Sequence, residues 1–274
     1  MHSVLFEVGP LTIHWYGVMM AVGFVAALTS WILLGRTCGR DAQSCSDLLF
    51  WVMLSGILGA RLAYVAEHWS EYAAEPLTIL RVNEGGLIFY GGLIAAGAVI
   101  LLYARRRREP ALPLVDFSLT AVPLAHAFGR IGCFLHGCCF GKCTELPIGV
   151  QFPQGSASWI THYHAGMIDK MAPLSRSIHP VQLYEAGYNV IIYTILIWTF
   201  RRSKRAGTVS GVYMVLYSLG RFVLEFFRGD RGERWEVLGL SVGQAVSIPI
   251  LLLGVALILG AHFWKCSLGQ SDGQ

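Results

Sequence analysis

Long blocks of apolar residues alternate along this chain with shorter connections that are basic or rich in glycine. A block of about 17–25 mostly apolar residues is long enough for an α-helix to cross the hydrocarbon core of a bilayer. Four blocks satisfy this clearly, and three others are interrupted by ionisable residues. The predicted spans are residues 16–35, 48–66, 87–103, 114–128, 181–200, 209–227 and 240–264. The pattern therefore predicts an all-α polytopic membrane protein with seven transmembrane helices.

The connection between the fourth and fifth predicted spans is longer than the other connections. It covers about residues 131–179 and contains many glycine, proline, serine and histidine residues. A loop of this length is usually functional or disordered, so we expect a small cap on the non-cytoplasmic side. The simplest organisation is one membrane domain over residues 1–266, followed by a disordered tail over residues 267–274.

Composition and charge agree with this organisation. Of the 274 residues, 54% are hydrophobic and 14% are charged, whereas a soluble domain carries about 25% charged residues. Lysine and arginine concentrate after the first, third and fifth spans, at Arg36 and Arg40, residues 105–108 and residues 201–205. The positive-inside rule places these linkers in the cytoplasm, with the N-terminus outside and the C-terminus in the cytoplasm. The net charge of +4 therefore requires no nucleic-acid partner.

An arginine and a group of cysteines interrupt the apolar pattern at the end of the fourth span. The segment GRIGCFLHGCCFG, residues 129–141, contains Arg130, His136 and three cysteines. Ionisable groups are costly at membrane depth, so a functional role is the default interpretation for them. Asp116 and His126, ten residues apart within the span, are expected only to anchor the helix. The chemical question is which anion Arg130 holds.

A second polar stripe lies in the sixth span. Tyr217, Arg221, Glu225 and Arg228 are spaced by four, four and three residues, which places them on one helical face. An Arg221–Glu225 pair could simply neutralise itself and pack helices, but two arginines against one carboxylate leave a cationic surplus. Because a guanidinium binds phosphate through two parallel hydrogen bonds and stays charged when desolvated, this surplus favours an anionic phospholipid headgroup.

The fifth span begins with HPVQLYE, residues 179–185. Pro180 is a good helix start, because the N–H that proline lacks has no partner in the first turn anyway. Gln182 and Glu185 are three residues apart and share a helical face. They either brace the helix or contact a substrate, and the sequence leaves both roles open.

Six segments carry a family resemblance. They are HWYG (14–17), YGGLIAAG (90–97), GRIGCFLHGCCFG (129–141), HPVQLYE (179–185), GVYMVLYSLGRFVLEFFR (211–228) and LSVGQAVSIP (240–249). In this order they resemble the prolipoprotein diacylglyceryl transferase family. The resemblance implies an enzyme of the bacterial cytoplasmic (inner) membrane that transfers the diacylglyceryl group of phosphatidylglycerol to the lipobox cysteine of a preprolipoprotein signal peptide. This first step of lipoprotein maturation releases glycerol phosphate.

The chemistry of this reaction gives the candidate residues their roles. A thiolate attacks a glyceryl carbon while a phosphate leaves as an anion, so arginines on that phosphate would supply the main charge stabilisation. The candidate catalytic residues are Arg130, Arg221, Tyr90, His136 and Cys138. The candidate substrate-binding residues are Tyr16, Arg61, Gly91, Gly92, Cys133, Gly141, Gln182, Glu185, Tyr217, Glu225 and Arg228.

Two parts of the chain depart from the family pattern. The family usually has HGGLIG where this chain has YGGLIA, so the Tyr90 phenol replaces a histidine often proposed as the base. The family also has asparagine and glutamate where this chain has Cys133 and Cys138. A phenol with a pKa near 10 is a weak base at neutral pH. His136 is therefore the best alternative proton acceptor, or the thiols themselves are the reacting groups.

The cysteines of the signature segment allow several roles. Cys133, Cys138, Cys139 and Cys143 fall within eleven residues, and a structural disulfide that includes Cys133 or Cys143 is favoured on the oxidising side of the membrane. A reacting thiol and an inert side chain remain open. The spacing CxxxxCCxxxC lacks the paired CxxC that is usual for zinc sites, so we expect no metal and no other cofactor.

Two further functions remain open from the sequence. A paralogue could keep the phospholipid site and use a different acceptor, and a non-catalytic protein could bind phospholipid or exchange thiols. The expected partners are phosphatidylglycerol, the preprolipoprotein signal peptide and the lipid bilayer, with no nucleic acid.

Overall fold

The computed structural model describes residues 4–8, 11–73, 75–81, 85–230, 236–237 and 239–263, and α-helices dominate these residues. The helices are α1 (Trp15–Gly35), α2 (Ala42–Glu67), α3 (Trp69–Tyr72), α4 (Phe89–Arg107), α5 (Ala111–Leu119), α6 (Val122–His136), α7 (Ala157–His164), α8 (Val181–Arg202), α9 (Thr208–Leu224) and α10 (Val242–Phe263). Two antiparallel hairpins join β1 (Val4–Val8) to β2 (Leu11–His14) and β3 (Glu236–Val237) to β4 (Leu240–Ser241). The predicted tail and Trp264, the end of the last predicted span, lie outside the described residues.

Within the residues that the structure describes, six helical stretches are long and apolar enough to cross a membrane. They are Trp15–Cys38, Ala42–Glu67, Phe89–Arg107, Ala111–His136, Thr208–Phe227 and Val242–His262. The fourth stretch combines α5 and α6, which are separated by a turn at residues 120–121. Pro123 lies in the first turn of α6, where the missing N–H costs nothing. These stretches confirm the prediction of an all-α polytopic membrane protein.

Helix α8 corresponds to the predicted fifth span, but it is not one of these six stretches of the described chain. The helix is 22 residues long, which is enough to cross a bilayer. Three polar residues, Gln182, Glu185 and Asn189, lie buried along it and lower its mean hydropathy. Helix α8 therefore depends on neighbouring helices to cover its polar groups.

Many large apolar side chains point outward from the long helices. Val25 on α1 is 65% exposed, Leu62 on α2 is 63% exposed, and Ile94 on α4 is 73% exposed. Contiguous apolar surface of this kind is rare on soluble monomers and marks contact with lipid or another protein. On helices of this length, the exposed side chains fit a hydrocarbon environment.

Packing groups the described residues into two compact units. One unit contains the described residues within 4–30 and 119–263, and the other contains those within 31–118. The first unit holds α6 to α10, where α6 packs on α8, α8 on α9, and α9 on α10. The second unit is built on the contact between α2 and α4.

Glycines bring α2 and α4 of the second unit into close backbone contact. A Cβ on Gly59 would lie 2.6 Å from the carbonyl oxygen of Gly91, and a Cβ on Gly92 would lie 2.8 Å from that of Gly56. Only glycine permits this approach without displacement. The sequence predicts Gly91 and Gly92 as substrate-binding residues. The structure places both in a helix–helix interface, and their role in substrate binding stays a prediction.

The segment between α6 and α8 is folded and has a small core. Phe140, Phe152 and Ile178 are buried together, and isolated antiparallel bridges join Val150 to Ile178 and Pro153 to Leu174. Helix α7 begins at the cap residue Ser156, whose hydroxyl accepts a hydrogen bond from the backbone N–H of Trp159. The long predicted loop is therefore ordered by its own packing.

Candidate active site

Three ionisable side chains meet between α6 and α8 of the first unit. Arg130 Nη2 lies 3.0 Å from Glu185 Oε1, and Arg130 Nε donates a 3.1 Å hydrogen bond to His126 Nε2. The distance from His126 Nε2 to Glu185 Oε1 is 3.5 Å. His126 and Arg130 are four residues apart on α6, so both face α8. The arrangement holds a buried carboxylate between a guanidinium and an imidazole.

The hydrogen bond from Arg130 fixes the state of His126. A ring nitrogen that accepts a hydrogen bond carries no proton, so the imidazole is neutral and its proton lies on Nδ1. The contacts of Arg130 with His126 and Glu185 engage Nε and Nη2, whereas a guanidinium has five N–H donors in all. Arg130 can therefore bind an additional anion without losing both of these partners.

A second ion pair lies on α9. Arg221 Nη2 is 2.9 Å from Glu225 Oε2, and a Cβ on Gly243 of α10 would lie 3.0 Å from the same two atoms. Glycine at this position lets α10 approach the pair closely. The Tyr217 ring, one turn before Arg221, lies 6.2 Å from the His126 ring. The polar stripe of the sixth span therefore faces the Arg130 group of α6.

Arg228 lies beyond the end of α9, with an extended backbone, and forms a bidentate pair that its helical spacing does not predict. Its Nε donates to Asp230 Oδ1 at 3.0 Å and its Nη2 to Asp230 Oδ2 at 2.6 Å. Arg228 also forms an antiparallel bridge with Gly141. A Cβ on Gly141 would overlap the carbonyl oxygen of His179. Gly141 thus lets the chain pass beside residues 179–181, and its role in substrate binding stays a prediction.

Three cysteines gather at the C-terminal end of α6. The sulfurs of Cys133, Cys138 and Cys139 lie within 4.8 Å of one another, and all three are free thiols. The turn after α6 brings them together, because Gly137 and Cys139 adopt left-handed conformations with φ of 80° and 57°. Cys143 is not a member of this group. Its Sγ lies 3.7 Å from Nε2 of His162, so the predicted disulfide between Cys143 and the other cysteines is not formed.

The environment of Cys139 favours its thiolate. Hydrogen bonds from the thiols of Cys133 and Cys138 lower the pKa of Cys139, and the Arg130 and Arg228 guanidiniums add to this shift. Burial opposes the shift without reversing it. The signature segment therefore holds its negative charge beside the arginines of the site.

Helix α8 links the cysteines to the ion pair. Gln182 Nε2 donates a 2.8 Å hydrogen bond to the carbonyl oxygen of Cys138, and Glu185 lies one turn further along. Both side chains are buried. Gln182 Oε1 has no hydrogen-bond partner among the described residues. One face of α8 thus fixes the turn after α6 and the position of Arg130.

The remaining candidates of the first unit lie near α6. Tyr16 packs over Gly132, whose Cβ would lie 3.2 Å from the tyrosine Cδ2, and 42% of Tyr16 is exposed. His136 is exposed at the end of α6 and contacts the edge of the His14 ring, with centroids 6.1 Å apart. The histidine that accepts a hydrogen bond from Arg130 is His126. The sequence predicts only a helix anchor at His126, although the spacing of four residues from Arg130 is a signal for this contact.

Arg61 and Tyr90 belong to the second unit. The buried Arg61 guanidinium donates to the backbone carbonyls of five residues, which are Thr78, Ile79, Arg81, Gly85 and Gly86. These bonds occupy its donors and hold the backbone at residues 78–81 and 85–86, and the headgroup contact of Arg61 stays a prediction. Tyr90 is 59% exposed in the first turn of α4, and its role as a base stays a prediction.

Comparisons with known proteins agree with the family resemblance of the sequence. A family model described as prolipoprotein diacylglyceryl transferase matches residues 3–260. A protein named phosphatidylglycerol–prolipoprotein diacylglyceryl transferase from Xanthomonas oryzae pv. oryzae (strain PXO99A) is 36% identical over 93% of this chain and 89% of its own length. A protein of the same name from Xanthomonas campestris pv. campestris (strain B100) is 37% identical over the same shares.

Proposed function

The chain belongs to the prolipoprotein diacylglyceryl transferase family, and from this premise we propose that it transfers the diacylglyceryl group of phosphatidylglycerol to the lipobox cysteine of a bacterial preprolipoprotein. The observation that carries the proposal is the meeting of Arg130, His126 and Glu185 beside the polar stripe of α9. The reaction forms a carbon–sulfur bond at a glyceryl carbon and breaks the carbon–oxygen bond to phosphate. Cationic donors on the leaving phosphate lower this barrier.

We assign the phosphate to Arg130 and Arg221. Both guanidiniums are paired with carboxylates, so their side chains are already oriented and a substrate anion meets an ordered site. Arginine is suited to this task because it keeps its charge after water leaves. Tyr217, one turn before Arg221 on α9, provides a phenol for the headgroup. As the bond to carbon breaks, the growing negative charge falls on oxygens that the two guanidiniums contact.

We assign the proton of the acceptor thiol to His126. When Arg130 turns toward phosphate, it releases Nε2 of His126, and this nitrogen is then free to take a proton. Glu185, which stays paired with Nη2 of Arg130, lies 3.5 Å from that nitrogen and stabilises the resulting imidazolium. Substrate binding and activation of the base are thereby coupled. His126 supplies the base that the family's missing histidine would otherwise provide.

The membrane organisation belongs to the same proposal. Helix α8 acts as a seventh span, which follows the fourth apolar stretch along the chain, with the segment after α6 as a cap outside the cytoplasm. The positive-inside rule puts the N-terminus outside and the C-terminus in the cytoplasm of the inner membrane. This orientation brings the signature cysteines to the side on which exported signal peptides arrive.

A reconstituted assay tests the proposed function. Purified protein in phosphatidylglycerol vesicles should convert a lipobox peptide to a thioether-linked diacylglyceryl peptide and release glycerol phosphate. Arg130→Ala and Arg221→Ala should each lower turnover by about 10²–10³-fold, because each removes a donor to the developing anion. Arg176→Ala, in the cap and outside the ion pairs, is the control. Lipid binding without turnover by the parent protein would indicate the non-catalytic alternative, and turnover with another thiol only would indicate a paralogue.

A further inference from the structure

We propose that Cys133, Cys138 and Cys139 bind one Zn²⁺ ion and that the ion's fourth position receives the thiol of the acceptor cysteine. The inference rests on the proposed function for the identity of the acceptor, while the ion site rests on the cysteines alone. Their sulfurs lie within 4.8 Å of one another. Zinc holds thiolates at about 2.3 Å, which in a tetrahedron separates the sulfurs by about 3.8 Å. Small side-chain rotations bring the three cysteines to this geometry.

The ligand set determines the kind of ion. Three thiolates are soft ligands, and they select zinc or monovalent copper over magnesium, calcium or manganese. In the part of the chain that the structure describes, no histidine or carboxylate joins this group as a fourth ligand. A structural zinc site is closed by four protein ligands, whereas a catalytic site keeps one position open. The group therefore corresponds to the open kind.

The surroundings suit a negatively charged metal centre. Three thiolates and Zn²⁺ carry one net negative charge, and a fourth thiolate raises this to two. Arg130 and Arg228 both interact electrostatically with Cys139, so cations already face the group. The Gln182 side chain holds the backbone of Cys138 through a 2.8 Å hydrogen bond, which keeps the turn in place. Such outer contacts orient the ligands of metal sites.

The location connects the ion to the transfer reaction. His126, Arg130 and Cys133 are spaced by four and three residues on α6 and share one face. A thiol that coordinates zinc loses its proton, and this proton passes to His126. The zinc-bound sulfur then attacks the glyceryl carbon, forming the carbon–sulfur bond. The carbon–oxygen bond breaks, its electron pair leaves on the phosphate oxygen, and glycerol phosphate departs.

Metal analysis tests the ion site independently of turnover. Protein purified without chelators should contain about one zinc per chain, the stoichiometry of a single site. Cys139→Ser and Cys133→Ser should each lower this content at least several-fold. Cys143→Ser, which changes a cysteine outside the group, should keep it. Zinc near zero in the parent protein, zinc retained in Cys139→Ser, or a disulfide within the group would overturn the proposal.

Cobalt substitution tests the open position. The Co²⁺ protein should show thiolate-to-metal charge-transfer absorption, and a lipobox peptide should change this spectrum while the same peptide with serine at the acceptor position should not. A spectrum that neither peptide changes overturns the acceptor role. A closed three-thiolate site of monovalent copper would also leave the spectrum unchanged. Normal transfer by chelator-treated, metal-free protein overturns it as well and leaves the proposed function intact. If the zinc-loaded, folded protein transfers nothing, the proposed function itself is wrong, and the metal content still decides the ion site.

Discussion

At the scale of single residues, the arginines of the site are held by carboxylates that are themselves buried. Glu185 and Glu225 have side chains that are each only 6% exposed, against Arg130 and Arg221. Removing one partner of such a pair leaves an uncompensated charge, so each glutamate is also needed for folding. Each ion pair thus serves both the orientation of its arginine and the stability of the fold. Substitutions that keep hydrogen bonding distinguish these two roles better than alanine substitutions do.

We predict that His126→Gln lowers turnover by about 10²–10⁴-fold, the usual contribution of a general base. The amide oxygen can still accept the hydrogen bond from Arg130 but cannot take up the thiol proton. The KM for phosphatidylglycerol should stay near that of the parent, because the arginine remains oriented. The measurement is kcat and KM in the vesicle assay. His136→Gln is the matched control, and a larger loss in that variant than in His126→Gln would return the role to His136.

Arg61 provides a second prediction at this scale. Arg61→Lys replaces five donors by three at a buried position and leaves carbonyls of residues 78–86 without partners. We expect a loss of about 2 kcal/mol or more in the free energy of unfolding. Specific activity per folded molecule should change little. Thermal unfolding, read beside the transfer assay, tests this. A stable variant with a strongly raised KM for phosphatidylglycerol would instead support the headgroup contact that the sequence predicts.

At the scale of elements, glycine sets how closely the helices approach. The Tyr188 ring of α8 occupies the space of a Cβ on Gly220 of α9, and its hydroxyl donates a 2.7 Å hydrogen bond to the carbonyl of Leu216. Gly211 and Gly254 face each other in the same way across α9 and α10, where a Cβ on Gly211 would lie 2.8 Å from the Gly254 oxygen. These contacts leave no room for a methyl group.

Gly220→Ala should therefore destabilise the protein by about 1–3 kcal/mol, the usual cost of overpacking. Gly187 is the matched control, since a Cβ added to this residue of α8 would meet nothing within 4 Å among the described residues. Gly187→Ala should be neutral or stabilising by about 0.5–1 kcal/mol, because alanine favours a helix interior. Melting temperatures of the two variants in the same detergent provide the comparison. Equal melting temperatures would mean that Tyr188 moves aside without cost.

The sequence predicts the helices better than it predicts their contacts. Apolar runs reveal helices because a span must be apolar along most of its length, and this holds for α1, α2, α4 and α10. The turn between α5 and α6 leaves no such signal, since both helices share one apolar run. Gly91 and Gly92 are predicted to bind substrate because a sequence motif shows that glycine is required there. The motif does not show whether the group that approaches each glycine is a ligand or another helix. The contacts of His126 with Arg130 and Glu185 are not predicted, because the sequence does not show which helix packs against α6.

At the scale of the whole molecule, the proposed orientation has a direct test. Cys143 is exposed in the segment after α6, and residues 105–108 supply most of the positive charge at the end of α4. In a variant that keeps Cys143 alone, a membrane-impermeant maleimide should label the outer side of spheroplasts. Arg105→Cys, made in a background without other cysteines, should react only after the membrane is opened. Labelling in the opposite order would invert the topology.

The polar face of α8 also bears on how the protein is made. Gln182, Glu185 and Asn189 would make this helix a poor substrate for the insertion machinery if it left the ribosome alone, because each buried polar group would face lipid. Helix α6, which packs on α8, is synthesised earlier, whereas α9 is synthesised later. We therefore expect α8 to enter the bilayer against an α6 that is already in place. Helix α6, which forms the candidate site together with α8, would then also assist the membrane insertion of α8.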